Sequence, residues 1–386
     1  MAKLGGSTLS YTDERLSILS AGPGSGKTTS LVKDAAGWPE KSCIVTYTRD
    51  AAAELSRRGV TCPTGTVHSL TWPHVKHIAK LFKRGHRSTS AFKRRRIRNS
   101  CDPALNEWVR NAPSNFPEDI EIRQLMGWSP DQGRAPSWIW EREISAQQSY
   151  TVALARWLDK GAPRGDDPEA LWDLDFLAVD EAQDTSALIL SAAMALLGSE
   201  GKCLCVGDPG QAIFHEANGG NEDELPPAWQ WATDHHVLSQ GFRCGFPVAD
   251  AAANILRTYT EVNPDDFRAS HRTEIVTWNP SAIPMSGGMV LGHSRRSCEN
   301  TIRAWGLQDV SVTPATRRDE NELSISTIHA AKGTQSESVF VLPWSRNSMR
   351  KLRHRDASAV KLLYVAMTRA SRKLHLPLEI FLELSW

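Results

Sequence analysis

LSILSAGPGSGKTTSLV, Leu16–Val32, is the segment from which the rest of the chain can be laid out. An apolar run from Leu16 to Leu19 reads as a buried strand. It feeds a glycine-rich turn, Ala21 to Lys27, that opens into a helix near Thr28, the strand–loop–helix context of a P-loop. Glycines at 22, 24 and 26 bring the backbone close to a phosphate chain, and the helix N-terminus adds its positive dipole end. The cradle therefore runs through Gly22, Pro23, Gly24, Ser25, Gly26, Lys27, Thr28 and Thr29. Lys27 is expected to reach the β- and γ-phosphates of ATP, and the Thr28 hydroxyl to ligate Mg²⁺. A plain Gly/Ser turn would not need the Gly-Lys-Thr-Thr ending.

The 386 residues suffice for two or three domains with real cores, and 40% apolar against 23% charged is an ordinary globular composition. Lys and Arg total 45 against 44 Asp and Glu, so overall charge names no partner and any nucleic-acid footprint must be local. No apolar run approaches the roughly eighteen residues of a membrane span, and MAKLGGSTLS has no export-type apolar region. A cytoplasmic location without membrane contact is the expectation. The seven cysteines include no C-x-x-C pair, and Cys203 and Cys205 alternate with Leu204 as core residues of a strand. Most of the fourteen tryptophans are expected in cores.

Working outward, Lys41–Thr48 (KSCIVTYT) reads as a second buried strand and Arg49–Arg58 as the helix behind it. Val60–Leu70 places β-branched residues around a Pro-Thr-Gly turn. These are successive βα units of a parallel sheet. Between Thr71 and Trp172 the chain turns tryptophan-rich, proline-punctuated and helical. Its basic run, Lys83–Arg98, contains Arg94, Arg95 and Arg96 and no acid, which favours phosphate contact over a solvated helix face.

The sheet resumes at Asp173–Asp184 (DLDFLAVDEAQD), where an apolar strand ends in adjacent carboxylates. Gly201–Phe214 repeats the form, with Asp208 and Gln211 in the following loop. Both loops emerge at the carboxyl edge of the sheet beside the P-loop, where such sheets bind ligands. Asp180 suits Mg²⁺ binding, Glu181 the general base for an attacking water, and Gln211 a sensor of that water or of the γ-phosphate. After Asn221–Pro227, the segment HHVLSQGFRCG is expected to begin a second α/β unit. Strand-and-helix patterns at Gly288–Leu307, Leu323–Pro343 and Ala359–Leu378 complete it. Arg243 and Arg369 are offered from this unit, and arginines reaching across a cleft stabilise charge in phosphoryl transfer.

Together these segments resemble the UvrD/Rep-type DNA helicases of superfamily 1, motif by motif. AGPGSGKT resembles motif I, TYTRDAAAEL Ia, TGTVHSL Ib, VDEAQD II, VGDPGQAIF III, LSQGFR IV, MVLGHSRR IVa, STIHAAKG V and LLYVAMTRA VI. The resemblance implies an α/β fold of two RecA-like P-loop NTPase domains with parallel sheets and a mainly helical insert in the first. Residues 1–70 and 172–236 would form the first domain, 71–171 the basic DNA-binding insert, and 237–386 the second domain. It further implies an ATP- and Mg²⁺-dependent monomeric motor moving 3′ to 5′ on single-stranded DNA or at a junction with duplex, in replication or repair. Tyr47, Thr48, Thr66, His68, Phe214, Thr327 and His329 would then lie near the strand, and Gly333 and Gln335 near the nucleotide.

The chain departs from that family in four places. No glutamine stands in Met1–Arg15, where the family reads adenine, so other nucleotides are expected to be accepted. Gln335 replaces an acid near the ribose. Phe214 runs into HEANGGNEDE rather than an aromatic-Arg-Gly-Ala stretch, and only about eighty residues separate Arg243 from Thr327, too few for the large second insert. A DNA-stimulated ATPase that remodels protein–DNA complexes without unwinding, and a non-motor nucleotide switch, remain open readings.

Overall fold

The computed structural model describes residues 13–81, 154, 157–158, 161–165, 170–214, 225–238, 240–241, 243–259, 268–269, 271–281, 287–307, 312 and 323–384. Strands β1 (Asp13–Ala21), β2 (Ser42–Thr46), β3 (Thr64–Thr66), β4 (Leu174–Asp180), β5 (Leu197–Gly207) and β6 (Ala232–Leu238) form one sheet. Its order is β3-β2-β4-β5-β1-β6, parallel throughout. A two-stranded pair, β7 (Gln240–Gly241) and β8 (Arg268–Ala269), follows. Strands β9 (Glu274–Thr277), β10 (Gly288–Gly292), β11 (Leu323–Thr327), β12 (Ser336–Val341) and β13 (Ala370–Leu376) form the second sheet, ordered β11-β10-β12-β13-β9 and again parallel. Counted from its own first strand, each lobe is wound 3-2-4-5-1, with β6 added at the edge of the first.

Parallel sheets need cover on both faces, and the alternation of side chains along each strand supplies it. In the first lobe Leu16, Ile18, Cys43, Val45, Leu177, Val179, Cys203 and Cys205 share one core with Trp157 and Leu190. Ile44, Ala178 and Val206 face the other way, against Leu31 of the P-loop helix (Lys27–Asp34) and Leu55. The second lobe repeats this, with Met289, Leu291, Val339 and Val341 on one face and Val290, Ile325 and Phe340 on the other. Burying each such side chain contributes about 1.5–3 kcal/mol.

The structure differs from the sequence reading at three points. HHVL does not open the second unit: β6 pairs with β1 from Asp13↔Ala232 to Ala21↔Leu238, because β1 offers a free edge beside its partner β5. The Pro-Thr-Gly segment is no turn at 64–66. Thr64, Gly65 and Thr66 pair with Ile44, Val45 and Thr46, completing the sheet at β3. Finally, the helix Val67–Leu81 runs through the expected boundary at 70/71 and keeps Pro73 inside it. Val67 and Val75 enter the first-lobe core with Leu154 and Trp157. His74 joins both ends of this excursion, pairing with the Leu171 carbonyl at 2.9 Å, accepting from Gly165 N at 2.9 Å and stacking on Trp157. The basic run with Arg94, Arg95 and Arg96 lies outside the described residues.

Candidate active site

Since every strand of the first sheet points the same way, the loops after β1, β4 and β5 meet at one edge. After β1 the chain turns with left-handed backbone at Gly24 (φ +69°) and Gly26 (φ +85°), and the helix then begins at Lys27. Gly24 has a further reason to lack a side chain: a Cβ there would stand 2.1 Å from Cβ of Arg243. Lys27 Nζ donates to the carbonyls of Ala21 (2.9 Å) and Gly22 (3.0 Å) rather than projecting outward. Burial lowers its pKa, while Asp208 and Glu181 pull in the opposite direction.

After β4, Asp180 Oδ2 accepts from the Thr28 hydroxyl at 3.0 Å, joining the two expected metal ligands. Burial, aided by the neighbouring Glu181 charge, raises Asp180 to about 6. Glu181 itself sits in the left-handed region (φ 55°, ψ 40°). That conformation costs a non-glycine residue roughly 1–2 kcal/mol and persists where surrounding contacts over-determine it. Burial alone would raise the Glu181 pKa, but Lys332, Lys27 and a hydrogen bond from Gln183 Nε2 outweigh it and hold the carboxylate ionised.

After β5 comes the short turn Pro209–Gln211. Asp208 Oδ1 accepts from Gly210 N at 3.0 Å, and Oδ2 accepts from Gln211 Nε2 at 2.7 Å. Gln183 Oε1 accepts from Asp208 N at 3.1 Å, so Gln183 links the general-base candidate to this turn. Sequence reasoning passed over Gln183. Its signal was its place two residues after Glu181, directly behind the adjacent carboxylates that close β4.

The second lobe reaches this edge with several polar side chains. Arg369, fully buried, gives Nη2 to Gln211 Oε1 (3.0 Å) and Nη1 to the Thr334 carbonyl (3.2 Å). Burial and the nearby Arg243 bring its pKa down to about 10, leaving it charged at neutral pH. Lys332 Nζ bridges Asp184 Oδ2 (2.5 Å) and the Gln211 carbonyl (2.7 Å). Burial raises Asp184 to about 6 against the pull of that ammonium. The Tyr364 hydroxyl donates to Asp208 Oδ2 at 3.1 Å. Arg243 lies on Gly24 and gives Nε to Gln335 Oε1 at 2.9 Å, which occupies the amide expected near a ribose. Cys244 Sγ donates to the Thr368 carbonyl (3.3 Å), tying the two arginine segments together. Gly333 turns left-handed (φ +86°) just after Lys332.

Of the remaining expected contacts, Tyr47, Thr48, Thr66 and His68 lie at or just after the carboxyl ends of β2 and β3, and Thr327 and His329 at or just after that of β11. Tyr47, 38% exposed, stacks on Phe214 with ring centroids 6.0 Å apart and planes at 21°. Phe214 meets His329 of the second lobe at 5.6 Å, and Lys332 Nζ stands 5.5 Å from its centroid. Thr48 caps the helix Arg49–Arg57 through Ala51 N, Thr66 accepts from Ser69 N, and Thr327 accepts from Ala330 N. These three hydroxyls are engaged in local turns. Burial holds His68 at about 4, neutral at physiological pH.

A triphosphate with Mg²⁺ fits these residues. Ser25 Oγ in the loop is buried and makes no hydrogen bond to the described residues, leaving a donor and acceptor for an added oxygen. A Cβ on Gly26 would meet nothing within 4 Å, so the approach to the helix N-terminus is open. Among the described residues no cluster of three or more His, Cys, Asp or Glu side chains forms a metal cage. Thr28 and Asp180 would share an ion with phosphate oxygens and water, the usual arrangement for Mg²⁺. Among the described residues no helix is long and apolar enough to cross a membrane.

Residues 7–216 match the family model described as an AAA domain, and residues 322–376 match that of the UvrD-like helicase C-terminal domain. No curated protein matches the chain. Among solved structures, the arterivirus nonstructural protein 10 helicase in complex with DNA has a TM-score of 0.44 at 15% identity, covering 96% of this chain and 63% of that one. The PRRSV helicase has a TM-score of 0.44 at 11% identity, covering 94% of this chain and 52% of that one. A crystal structure of arterivirus nonstructural protein 10 has a TM-score of 0.41 at 16% identity, covering 94% and 59%. The chain thus spans less than two thirds of each of these structures.

Proposed function

The chain belongs to the UvrD-like helicases of superfamily 1, and from that premise we propose that it is an ATP-driven motor moving 3′ to 5′ along single-stranded DNA. The observation that carries this is one P-loop whose catalytic edge is hydrogen-bonded directly to the second lobe, through Arg369–Gln211 and Lys332–Asp184. A binding module has no use for that connection. A motor requires it, because occupancy of the site must be felt as movement of one lobe against the other.

In this reading Lys27, Ser25 and the backbone from Gly22 to Thr29 hold the phosphates, and Thr28 with Asp180 holds Mg²⁺. Held by those two residues, the ion would supply positive charge to offset that of the phosphates. Glu181, ionised and fixed by its backbone, accepts the proton of the attacking water. Gln211 orients that water and Arg369 balances charge on the transferring group, each held by the other. Arg243 follows the P-loop at Gly24. The row Tyr47–Phe214–His329 spans both lobes and supports base stacking, which grips single strands without regard to sequence at about 1–3 kcal/mol per base.

ATP turnover measured with and without poly-dT tests the motor directly, and strand displacement on 3′-tailed and 5′-tailed duplexes tests direction and unwinding. Stimulation by poly-dT with displacement from the 3′ tail is expected. Stimulation without displacement would leave a remodelling translocase, and no stimulation would leave a nucleotide switch.

A further inference from the structure

The turn Pro209–Gln211 of the first lobe is seated between two helices of the second, Val248–Tyr259 and Ala357–Met367. A Cβ on Gly210 would stand 2.5 Å from Leu256 Cδ1 and 2.9 Å from Tyr364 Cε1, so the backbone of the turn touches both helices. Leu256 and Tyr364 are fully buried there, and Asp208 is 2% exposed. Within this seat the Tyr364 hydroxyl reaches Asp208 Oδ2, the same oxygen that takes Gln211 Nε2. The other end of the Gln211 amide takes Arg369.

We propose that Tyr364 is a positioning residue for hydrolysis: its hydroxyl fixes the Asp208 carboxylate, which orients the Gln211 amide only while the lobes are seated. The inference rests on the nucleotide-hydrolysing role of this site. An amide is held in one of two flipped orientations only when donor and acceptor ends have distinct partners. Asp208 accepts from the NH₂ end and Arg369 donates to the carbonyl end. The second lobe acts on both ends, Arg369 directly and Tyr364 through the Asp208 oxygen that Gln211 uses, while Gly210 N holds the other Asp208 oxygen from within the turn. Withdrawal of the second lobe therefore frees the carbonyl end of Gln211 and removes the hydroxyl that steadies the Asp208 oxygen at its NH₂ end, loosening the face it presents to a water. Burial and the Asp208 charge hold the Tyr364 pKa well above its ordinary value, so the phenol remains a donor throughout the physiological range. Gly210 belongs to the same device, because a side chain there would hold the turn off its seat.

Tyr364→Phe in the full chain removes the hydroxyl and keeps the ring. ATP turnover at saturating poly-dT is expected to fall about tenfold, the scale of a lost hydrogen bond to a charged group. KM for ATP and the poly-dT concentration for half-stimulation should change less than about twofold, since the residue touches neither ligand. In a cycle with Gln211→Ala, adding Tyr364→Phe should cost nothing further. Gly210→Ala should reproduce the kcat loss with the hydroxyl intact. Wild-type kcat in Tyr364→Phe, or full multiplication of the two losses in the double variant, would overturn the proposal. If wild-type turnover ignores poly-dT, the motor reading fails while basal kcat still reads Tyr364, and the same tenfold ratio is expected there.

Discussion

Both lobes are wound in the order 3-2-4-5-1, yet they meet the site with opposite ends of their strands. The first lobe uses carboxyl ends: the P-loop after β1, Asp180 and Glu181 closing β4, Asp208 and Gln211 after β5. From the second lobe, Gln335 stands just before β12 and Arg369 just before β13, at amino ends. Where the first lobe has its phosphate loop after β1, the second continues from β9 into Trp278, whose Nε1 bonds the Val341 carbonyl as part of a core. The same winding therefore carries the P-loop and paired carboxylates in one lobe and, in the other, presents side chains that hydrogen-bond to that edge. Difference in role comes from which strand ends carry chemistry, not from the fold.

Changing the second lobe's buried arginine should break the arrangement most severely. Arg369→Lys keeps a cation but loses the fork that serves Gln211 and Thr334 together, and kcat should fall on the order of 10³-fold with nucleotide affinity retained, as an arginine supplied across a cleft implies. Steady-state turnover beside binding of a fluorescent ATP analogue checks this. On the first lobe, Glu181→Gln should cost about 10²–10⁴ in kcat, the scale of a lost general base, again sparing binding. Single-turnover hydrolysis gives the number.

The aromatic row sharpens the comparison, because it belongs to both lobes. Tyr47→Ala and Phe214→Ala should each weaken single-stranded DNA binding by roughly 5- to 150-fold, corresponding to about 1–3 kcal/mol, while basal ATP turnover moves little. Fluorescence anisotropy with labelled poly-dT reads this. The smallest effect is expected at Gln335→Ala. It removes an Arg243 partner that is partly solvent-exposed, and kcat should change by about threefold at most.

The phosphate loop and paired carboxylates were legible because their chemistry is written in consecutive residues following apolar strands. Strand content of the second lobe was legible for the same reason of periodicity. What could not be read were pairings set by winding. Asp208 meets Gln183 across 25 positions and Tyr364 across 156, distances over which a single sequence carries no signal. The edge strand β6 was misread because its exposed, histidine-bearing surface lacks the apolar continuity of an interior strand. The shared order of the lobes was likewise invisible, since nothing in the β9–β10 connection repeats the glycine-rich loop.

The account depends on nucleotide state being converted into lobe separation. Arg57, on the first lobe, and Arg295, on the second, are both strongly exposed and suit paired labels in a chain with Cys62 and Cys101 replaced. Inter-label distance measured on poly-dT should shorten with a non-hydrolysable ATP analogue, lengthen with ADP, and cease to respond in Arg369→Lys. One unchanging distance in every nucleotide state, in a chain that still hydrolyses ATP, would contradict it.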